Sequence, residues 1–551
     1  MDFTRNLYPK LFIDYLEDEK NLKSYYRFCP QDENSYLTRY EEIKTEYSLD
    51  SRQKLVKLLS DYNETLLGEE DDDFSGKSQM KRSIEKLREE NSVVVITGQQ
   101  PGVLTGPLYN IYKAVSAIKL AKETERSLGI KAVPVFWLAS EDHDVNEIDF
   151  INLRNSRGKL KRFNLFQQNY NSPIGSLEIN KAGERLLDNI ELYYNNCQDL
   201  DPCFEKWLDF YRASLRNSNN LTSWTARIMM KLLSKYGLLV IDPMLTDFRA
   251  LSKDLFIKAV ESKNKVYEEV KDKGESLEKL GYETPLSLPE NHSGLFFTTD
   301  DNVRKSILYD SKEGRYKTIN GEHVFDELSL KNMIEEEYTR FSPNVSLRPV
   351  VQDYIFPTLA YVAGPGEVSY FSQLEGVYKS FDVKMPVIYP RERYVIIEPS
   401  IKSAMERYEI GLEDVFLNWK DKRNNVLDSL SSLDIEGAFE QASKAMKSQH
   451  EELIEKLSRE FPQVKDTESK NWKHIHKQLE YLKDKVRQYN NQNNKEIRKS
   501  LDRVKLCIFP HDKHQERFYS MGEYLLFYDA RIITEIMAKE LNSLDLQIVE
   551  L

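Results

Sequence analysis

A chain of 551 residues, 40% hydrophobic and 30% charged, is too long for one compact core and predicts a core carrying large insertions, or two to three domains. Its formal charge of -12 argues against a nucleic-acid backbone or an anionic membrane as principal partner, because either favours a basic face. Cys29, Cys197, Cys203 and Cys507 form no disulfide framework and lack zinc-site spacing, so a reducing compartment is expected. The start, MDFTRNLYPKLFIDYLEDEK, has no apolar core of signal-peptide length, and no later run approaches about 20 apolar residues. The expectation is a soluble cytoplasmic protein.

In chain order, residues 1–80 read as a helical segment ending in an acidic linker, EEDDDFSGKSQ. The first half of the core, 81–147, holds an apolar run VVVIT, a loop with three glycines, a helix over LYNIYKAVSAIKLAKE and a second apolar strand, AVPVFWLA. That is a βαβ unit, and near-continuous apolar strands imply a sheet covered on both faces. Residues 148–220 read as an insertion, opening with a β-hairpin around Arg157 and Gly158. The core continues over 221–284, with a helix stopped near Gly237 and a strand running into Asp242 and Pro243. A second insertion of hairpins covers 285–343, and the second half of the core, 344–400, contains a strand flanked by Arg348 and Asp353, then TLAYVAGPGE and MPVIYPR.

Residues 401–508 thin into long charged helices. Ile475, Leu479, Leu482, Val486 and Tyr489 step by four and three, as a coiled-coil seam does. Asn493 then falls on the seam, and the steps to Ile497 and Leu501 are both four, a stutter. Ile435, Phe439, Ala442, Met446, Leu453 and Leu457 form a partner stripe, with a break near FPQVKD. The pattern predicts an antiparallel helical arm with dimerisation as its use, followed by a C-terminal segment, 509–551.

Three strand ends carry polar clusters. The loop TGQQPGVLTGP has no Lys-Ser/Thr pair after its last glycine, and Gly98, Gly102 and Gly106 are four apart, so it is neither a P-loop nor the dinucleotide fingerprint. It still opens a helix at a strand end, where free amides and the helix dipole favour an anion. The competing reading is a tight turn with glycines at positive φ. The second cluster is Glu141-Asp142-His143-Asp144, in which a histidine between carboxylates suits a general acid or base, or an amine site. The third joins Arg348 and Asp353 to the turn Gly364-Pro365-Gly366-Glu367, where Glu367 also complements a helix dipole. In HDKHQERF, His511 and His514 read as exposed polar residues, and no metal is predicted.

TGQQPGVLTGPLYNIYKA, VPVFWLASEDHDVNEI, VIDP, SLRPVVQDYIFPTLAYVAGPGEVSYF, MPVIYPR and HQERF together resemble the cysteine-adding enzyme family of bacillithiol biosynthesis. They occur in family order and span most of the chain. Ala363, Ser369 and His514 depart from the family pattern, the last making transfer to the following residues less secure. The resemblance implies an α/β fold: a Rossmann-like core related to nucleotidylyltransferases and class I synthetases, two connecting-peptide insertions and a coiled-coil arm used for homodimerisation. It implies a ligase that joins the carboxyl group of cysteine to the amine of glucosaminyl-malate. An amine does not displace a carboxylate oxygen unaided, so an activated acyl group is required, most simply from ATP.

On this reading His143, with Asp142 and Asp144, is catalytic. The substrate-binding set is Thr97, Gly98, Gln99, Gln100, Gly106, Asn344, Arg348, Gln352, Asp353, Gly364, Gly366, Glu367, Tyr370 and Arg391. Arg348 or Arg391 would neutralise a carboxylate or phosphate. The resemblance alone implies a second nucleotide pocket, for ATP or ADP, at Gln515, Glu516 and Arg517. Two rivals remain: a dimeric coiled-coil scaffold with a vestigial core, and a metal-dependent hydrolase using Asp142, His143 and Asp144.

Overall fold

The apolar runs at 92–99 and 131–138 form adjacent parallel strands, β1 (Ser92–Gln99) and β2 (Lys131–Leu138), in register from Ser92 opposite Lys131 to Gln99 opposite Leu138. Val93 and Val95 pack with Ala117, Leu120 and Ala121 of the helix Leu108–Leu128, while Val94 and Ile96 are equally buried on the opposite face. Burial of both alternating sets is why the run is continuously apolar.

The computed structural model describes residues 7–18, 20–67, 74–155, 159–167, 170, 172–195, 202–429, 434–493 and 495–551. The turn expected at Arg157 and Gly158, the acidic run 69–73 and Cys197 lie outside them. The chain divides into two compact units: Met1–Val395 with Glu516–Val549 and Leu551, and Ile396–Gln515 with Glu550.

In chain order the strands of the first unit continue as β3 (Phe150–Arg154), β4 (Leu160–Asn164), β5 (Leu239–Ile241), β6 (His292–Thr298), β7 (Arg304–Asp310), β8 (Arg315–Thr318), β9 (Val324–Phe325), β10 (Phe341–Pro343), β11 (Thr358–Ala363) and β12 (Val387–Pro390). The core sheet is parallel, in the order β12-β11-β1-β2-β5. β3 and β4 pair antiparallel, and β10-β6-β7-β8-β9 make a separate antiparallel sheet.

Helices Lys10–Leu16, Glu33–Glu46, Leu49–Leu66 and Phe74–Arg88 precede the first strand. They dock through polar side chains as well as apolar ones. Arg39 Nε donates to the Thr358 carbonyl at 2.9 Å, and Arg52 reaches the carbonyls of Leu87, Glu90 and Ser92. Asn63 does more. Its Nδ2 donates to the Val240 carbonyl at 2.8 Å and its Oδ1 accepts from Val240 N–H at 2.9 Å, so one side chain occupies the ladder positions of a missing strand beside the edge strand β5.

In the second unit, Ile435–Ser458 and Glu468–Asn493 are joined through a short 3-10 segment at Pro462–Thr467. Glu436 pairs with Lys483 and Arg487, and His450 bonds Asn471 at 3.0 Å, so position rises on one helix as it falls on the other and the pair is antiparallel. The expected stripe splits. Ile435 and Leu479 are buried, but Leu482, Tyr489, Met446, Leu453 and Leu457 are exposed, and His450 and Ile454 take inward positions that the apolar spacing did not name. Asn493 ends its helix and Lys495 begins the next, with residue 494 outside the described residues. No helix among the described residues is long and apolar enough to cross a membrane.

Asn63→Ala leaves a buried strand N–H and carbonyl unsatisfied. We expect about 1–3 kcal/mol lower stability, seen as an earlier denaturation midpoint; an unchanged midpoint would show that the edge is satisfied without it.

Candidate functional site

In the order β5-β2-β1-β11-β12 the chain leaves β1 on one side and returns on the other at β11. The carboxyl ends of β1 and β11 therefore diverge at a topological switch point, the usual ligand position in open α/β sheets. Thr97 is buried and joins the two strands, its Oγ1 donating to the Val362 carbonyl at 2.8 Å. Gln99 and Gln100 make contacts on different flanks, as strand alternation allows. Gln99 Oε1 accepts from Lys113 at 3.1 Å, and Gln100 Nε2 donates to Asp142 Oδ2 at 2.7 Å. Through this pair the loop, the 141–144 cluster and the 364–367 turn share one rim.

Lys113, fully buried on the helix Leu108–Leu128, places its ammonium against the Gly98 carbonyl, Gln99 Oε1 and, at 2.5 Å, Glu367 Oε2. Three acceptors meet three protons. Burial pushes the Lys113 pKa down to about 8, with Glu367 pulling against that shift. Glu367 also accepts from the Tyr361 hydroxyl and from Gly364 N–H, each at 2.7 Å. Burial works against its charged form, yet Lys113 and these donors hold its carboxyl below the usual range.

Arg348 opens the helix Arg348–Ile355. The expectation that Arg348 and Asp353 flank a strand is thus corrected: Asn344 Oδ1 accepts from the amides of Ser346 and Leu347 at 3.0 and 2.9 Å, and Pro349 sits in the first turn, where its missing N–H costs nothing. The Arg348 guanidinium donates to Gln352 Oε1 at 3.2 Å and the Tyr370 hydroxyl at 3.1 Å, and lies 5.6 Å from the Tyr361 ring. Among the described residues it has no carboxylate in contact. The Nδ2 of Asn344 is buried with no hydrogen-bond partner among the described residues. Gln352 and Asp353 turn inward: Gln352 Nε2 donates to Asp353 Oδ1 at 2.9 Å, and the Tyr378 hydroxyl reaches Asp353 Oδ2 at 2.5 Å. Burial raises the Asp353 pKa.

In the glycine loop, where an anion cradle is expected, three amides are bonded within the protein. Val103 N–H donates to the Ile148 carbonyl, Gly106 N–H to that of Val103, and Leu108 N–H, at the helix start, to that of Tyr519. The loop folds on itself so closely that a Cβ on Gly102 would lie 2.6 Å from Gly106 Cα, and Gly106 has φ +69°. Gly98, buried at the strand end, contributes its carbonyl to Lys113.

The 141–144 cluster also differs from expectation. Asp142 Oδ1 accepts from His143 N–H at 2.7 Å and its other oxygen takes Gln100, so it shapes the turn. His143 Nδ1 stands 3.7 Å from Asp142 Oδ1, too far for a hydrogen bond, and has no hydrogen-bond partner among the described residues. Asp144 is exposed. Glu141, buried, pairs with Arg249 at 2.6 Å. Among the described residues no group of three or more His, Cys, Asp or Glu side chains could hold a metal ion.

Arg391 and Glu516, both buried, form a bidentate pair at 2.7 and 2.5 Å, and Arg391 N–H donates to the Ala363 carbonyl. Neither guanidinium nor carboxylate is free for a ligand. Gln515 spends its amide on Ile396 and on the Cys507 carbonyl, and Arg517 is exposed, 5.9 Å from the Tyr109 ring. Gly364 and Gly366 stand at the turn; beside Gly366 no atom lies within 4 Å of where a Cβ would be. Sequence reasoning missed Lys113 and Tyr361. The signal for Lys113 was a lone lysine inside an otherwise apolar stretch of helix, NIYKAVSA.

Fold and site define a doubly wound, Rossmann-like protein with charged and polar side chains gathered at its switch point. The family model for the bacillithiol biosynthesis BshC N-terminal Rossmann-like domain matches residues 1–392, and that for the BshC C-terminal coiled-coil domain matches 394–551. The chain belongs to the BshC family. It is 34% identical to a Natranaerobius thermophilus protein named "Putative cysteine ligase BshC", over 100% of this chain and 98% of that one. Relatives of the same name in Desulforamulus reducens and Bacillus cereus are 31% and 30% identical, each over 95% of this chain and 94% of theirs.

Lys113→Met leaves Glu367 charged without its cation, and we expect it to destabilise the protein by about 3–5 kcal/mol. Adding Glu367→Gln should recover part of that loss in chemical denaturation. A double variant as unstable as the sum of the singles would refute the coupling.

Proposed function

We propose that this chain is the ligase of bacillithiol biosynthesis that joins the carboxyl group of cysteine to the amine of glucosaminyl-malate. The observation that carries the reading is Arg348: a guanidinium at the switch point, oriented by Gln352 and Tyr370 and without a carboxylate in contact among the described residues. Such a group recognises a carboxylate or phosphate bidentately. The orphaned Asn344 Nδ2 one turn away adds a donor. This donor set suits an anionic group, so Arg348 and Asn344 would hold the malate carboxylates or the phosphates of ATP. ATP would supply the activation that the carboxyl group of cysteine needs.

In the reaction the amine nitrogen forms the new C–N bond at the carboxyl carbon, one carboxylate oxygen departs with the activating group, and the amine proton passes to a base. His143 is the base in this reading, because its ring nitrogen Nδ1 has no hydrogen-bond partner among the described residues. Lys113 and Glu367 satisfy each other and keep the strand ends in register for Arg348. Lost charge recognition at one such contact costs about 3 kcal/mol, or roughly a hundredfold in rate.

A strain deleted for this gene should lack bacillithiol and accumulate glucosaminyl-malate. Complementation with the wild-type gene should restore the thiol, whereas Arg348→Ala and His143→Ala should not, although both accumulate as folded protein. Unchanged thiol in the deletion would sink the reading.

Homodimerisation through the arm belongs to the same proposal. The stripe Met446, Leu453, Leu457, Leu482 and Tyr489 is exposed on a hairpin whose own seam lies elsewhere, and a second copy is the occupant a coiled coil suggests. Sedimentation should give a dimer for the wild type and a monomer for Leu453→Glu with Leu482→Glu; a monomeric wild type at about 10 µM, a concentration at which a dimer with a micromolar Kd would be largely assembled, overturns it.

A further inference from the structure

Beyond the switch point, the carboxyl ends of β2 and β5 face the β6–β10 sheet across a hollow. It has a volume of about 140 Å³ and is lined by Glu141, Met244, Arg249, Asn302, Thr339 and Arg340, among others. Its floor is unusual in carrying both charges. Glu141 follows β2 and is nearly fully buried; Arg249, on the helix Thr246–Glu261 after β5, is buried too and binds Glu141 at 2.6 Å. One donor there finds no acceptor among the described residues: Arg249 Nε is buried without a hydrogen-bond partner in them, although the same guanidinium also serves the Phe341 carbonyl. Leaving such a donor dry costs free energy that a bound acceptor would return. Arg340 stands at the rim, its Nε on the Thr298 carbonyl and its terminal nitrogens on the exposed Asp300 and Glu337.

The contents of the hollow narrow the ligand. A simple amine would meet Glu141 but leave Arg249 Nε dry. A phosphate would satisfy the arginines but press its charge against Glu141. A molecule with one ammonium and one carboxylate on adjacent atoms answers both. A cavity of about 150 Å³ accepts benzene, with six heavy atoms, so this one suits a zwitterion of six or seven. Met244 offers a polarisable thioether to a small, soft side chain.

We propose that this hollow is the pocket for a free α-amino acid with a small side chain, its ammonium at Glu141 and its carboxylate at Arg249 and Arg340. The inference rests on the ligase reading for the identity of that amino acid, cysteine, and locates it apart from Arg348. Glu141 lies two residues before His143, so the amino acid is held by the same strand end that presents the candidate base.

Calorimetry on the full chain tests it, using L-cysteine under reducing conditions, with and without ATP, beside cysteamine, which lacks the carboxylate, and 3-mercaptopropionate, which lacks the ammonium. Cysteine should bind, and each truncated analogue should bind at least tenfold more weakly. Thr339→Trp, a rim substitution outside the buried pair, should weaken cysteine at least tenfold without moving the denaturation midpoint, and Arg249→Lys, which keeps a cation beside Glu141 but removes Nε, should weaken it at least as much. Should cysteine fail while alanine or serine binds with the same dependence on Thr339 and Arg249, the pocket stands and the ligase reading falls. Cysteine binding that neither substitution affects overturns the pocket while leaving the ligase reading intact. Absence of binding by any of these amino acids, with or without ATP, also overturns the pocket.

Discussion

A buried lysine and glutamate hold the switch point together. Lys113 belongs to the helix that follows β1 and Glu367 to the turn that follows β11, so their contact spans the place where the sheet reverses direction. Burying such a pair is expensive, and the gain in stability over an apolar pair is small or absent. What the pair adds is position. Gly98 and Gln99 accept from Lys113, and Tyr361 and Gly364 donate to Glu367, and so the backbone of both strand ends is tied to the two charges. With those charges mutually satisfied, the Arg348 guanidinium beside them, bonded to Gln352 and Tyr370, meets no carboxylate among the described residues.

The loop 97–106 is the other half of this arrangement. Leu104 and Thr105 adopt φ +47° and +83°, a region that a β-branched side chain rarely enters. Their neighbours hold them there: Ser520 Oγ donates to the Leu104 carbonyl, Thr225 Oγ1 to that of Gly102, and Asn110 Nδ2 to that of Thr105. Strain is tolerated because the loop is over-determined by two segments distant in sequence and by the helix that follows it. Its first residues, Gln99 and Gln100, reach Lys113 and Asp142.

Much of this was legible from periodicity. The parallel strands read as unbroken apolar runs because both faces are covered, and the helices of the arm read from charge and length. The site was harder, because motif reasoning assigns function to polar residues without knowing which of them are spent. Asp142, Asp353, Arg391, Glu516 and Gln515 all find partners within the protein, and nothing in their local sequence distinguishes them from Arg348, which does not find a carboxylate. The segment RPVVQDYI is expected as a strand, yet it folds as a helix with Pro349 in its first turn, entered through a turn that the Asn344 side chain ties. On the arm, apolar spacing marked a stripe but could not tell which face a partner helix would cover, since His450 and Asn471 supply a polar contact where the seam was expected to be apolar.

Asn63 carries a consequence for how the first unit has to be handled. Its carboxamide serves β5 as a surrogate strand, covering an edge that would otherwise display open hydrogen-bonding groups. A version trimmed to begin at the first core strand would keep every residue of the switch point and lose this cover. Its weakness would be stickiness between copies before any loss of chemistry, so the N-terminal helices serve as a colloidal safeguard as well as a structural layer.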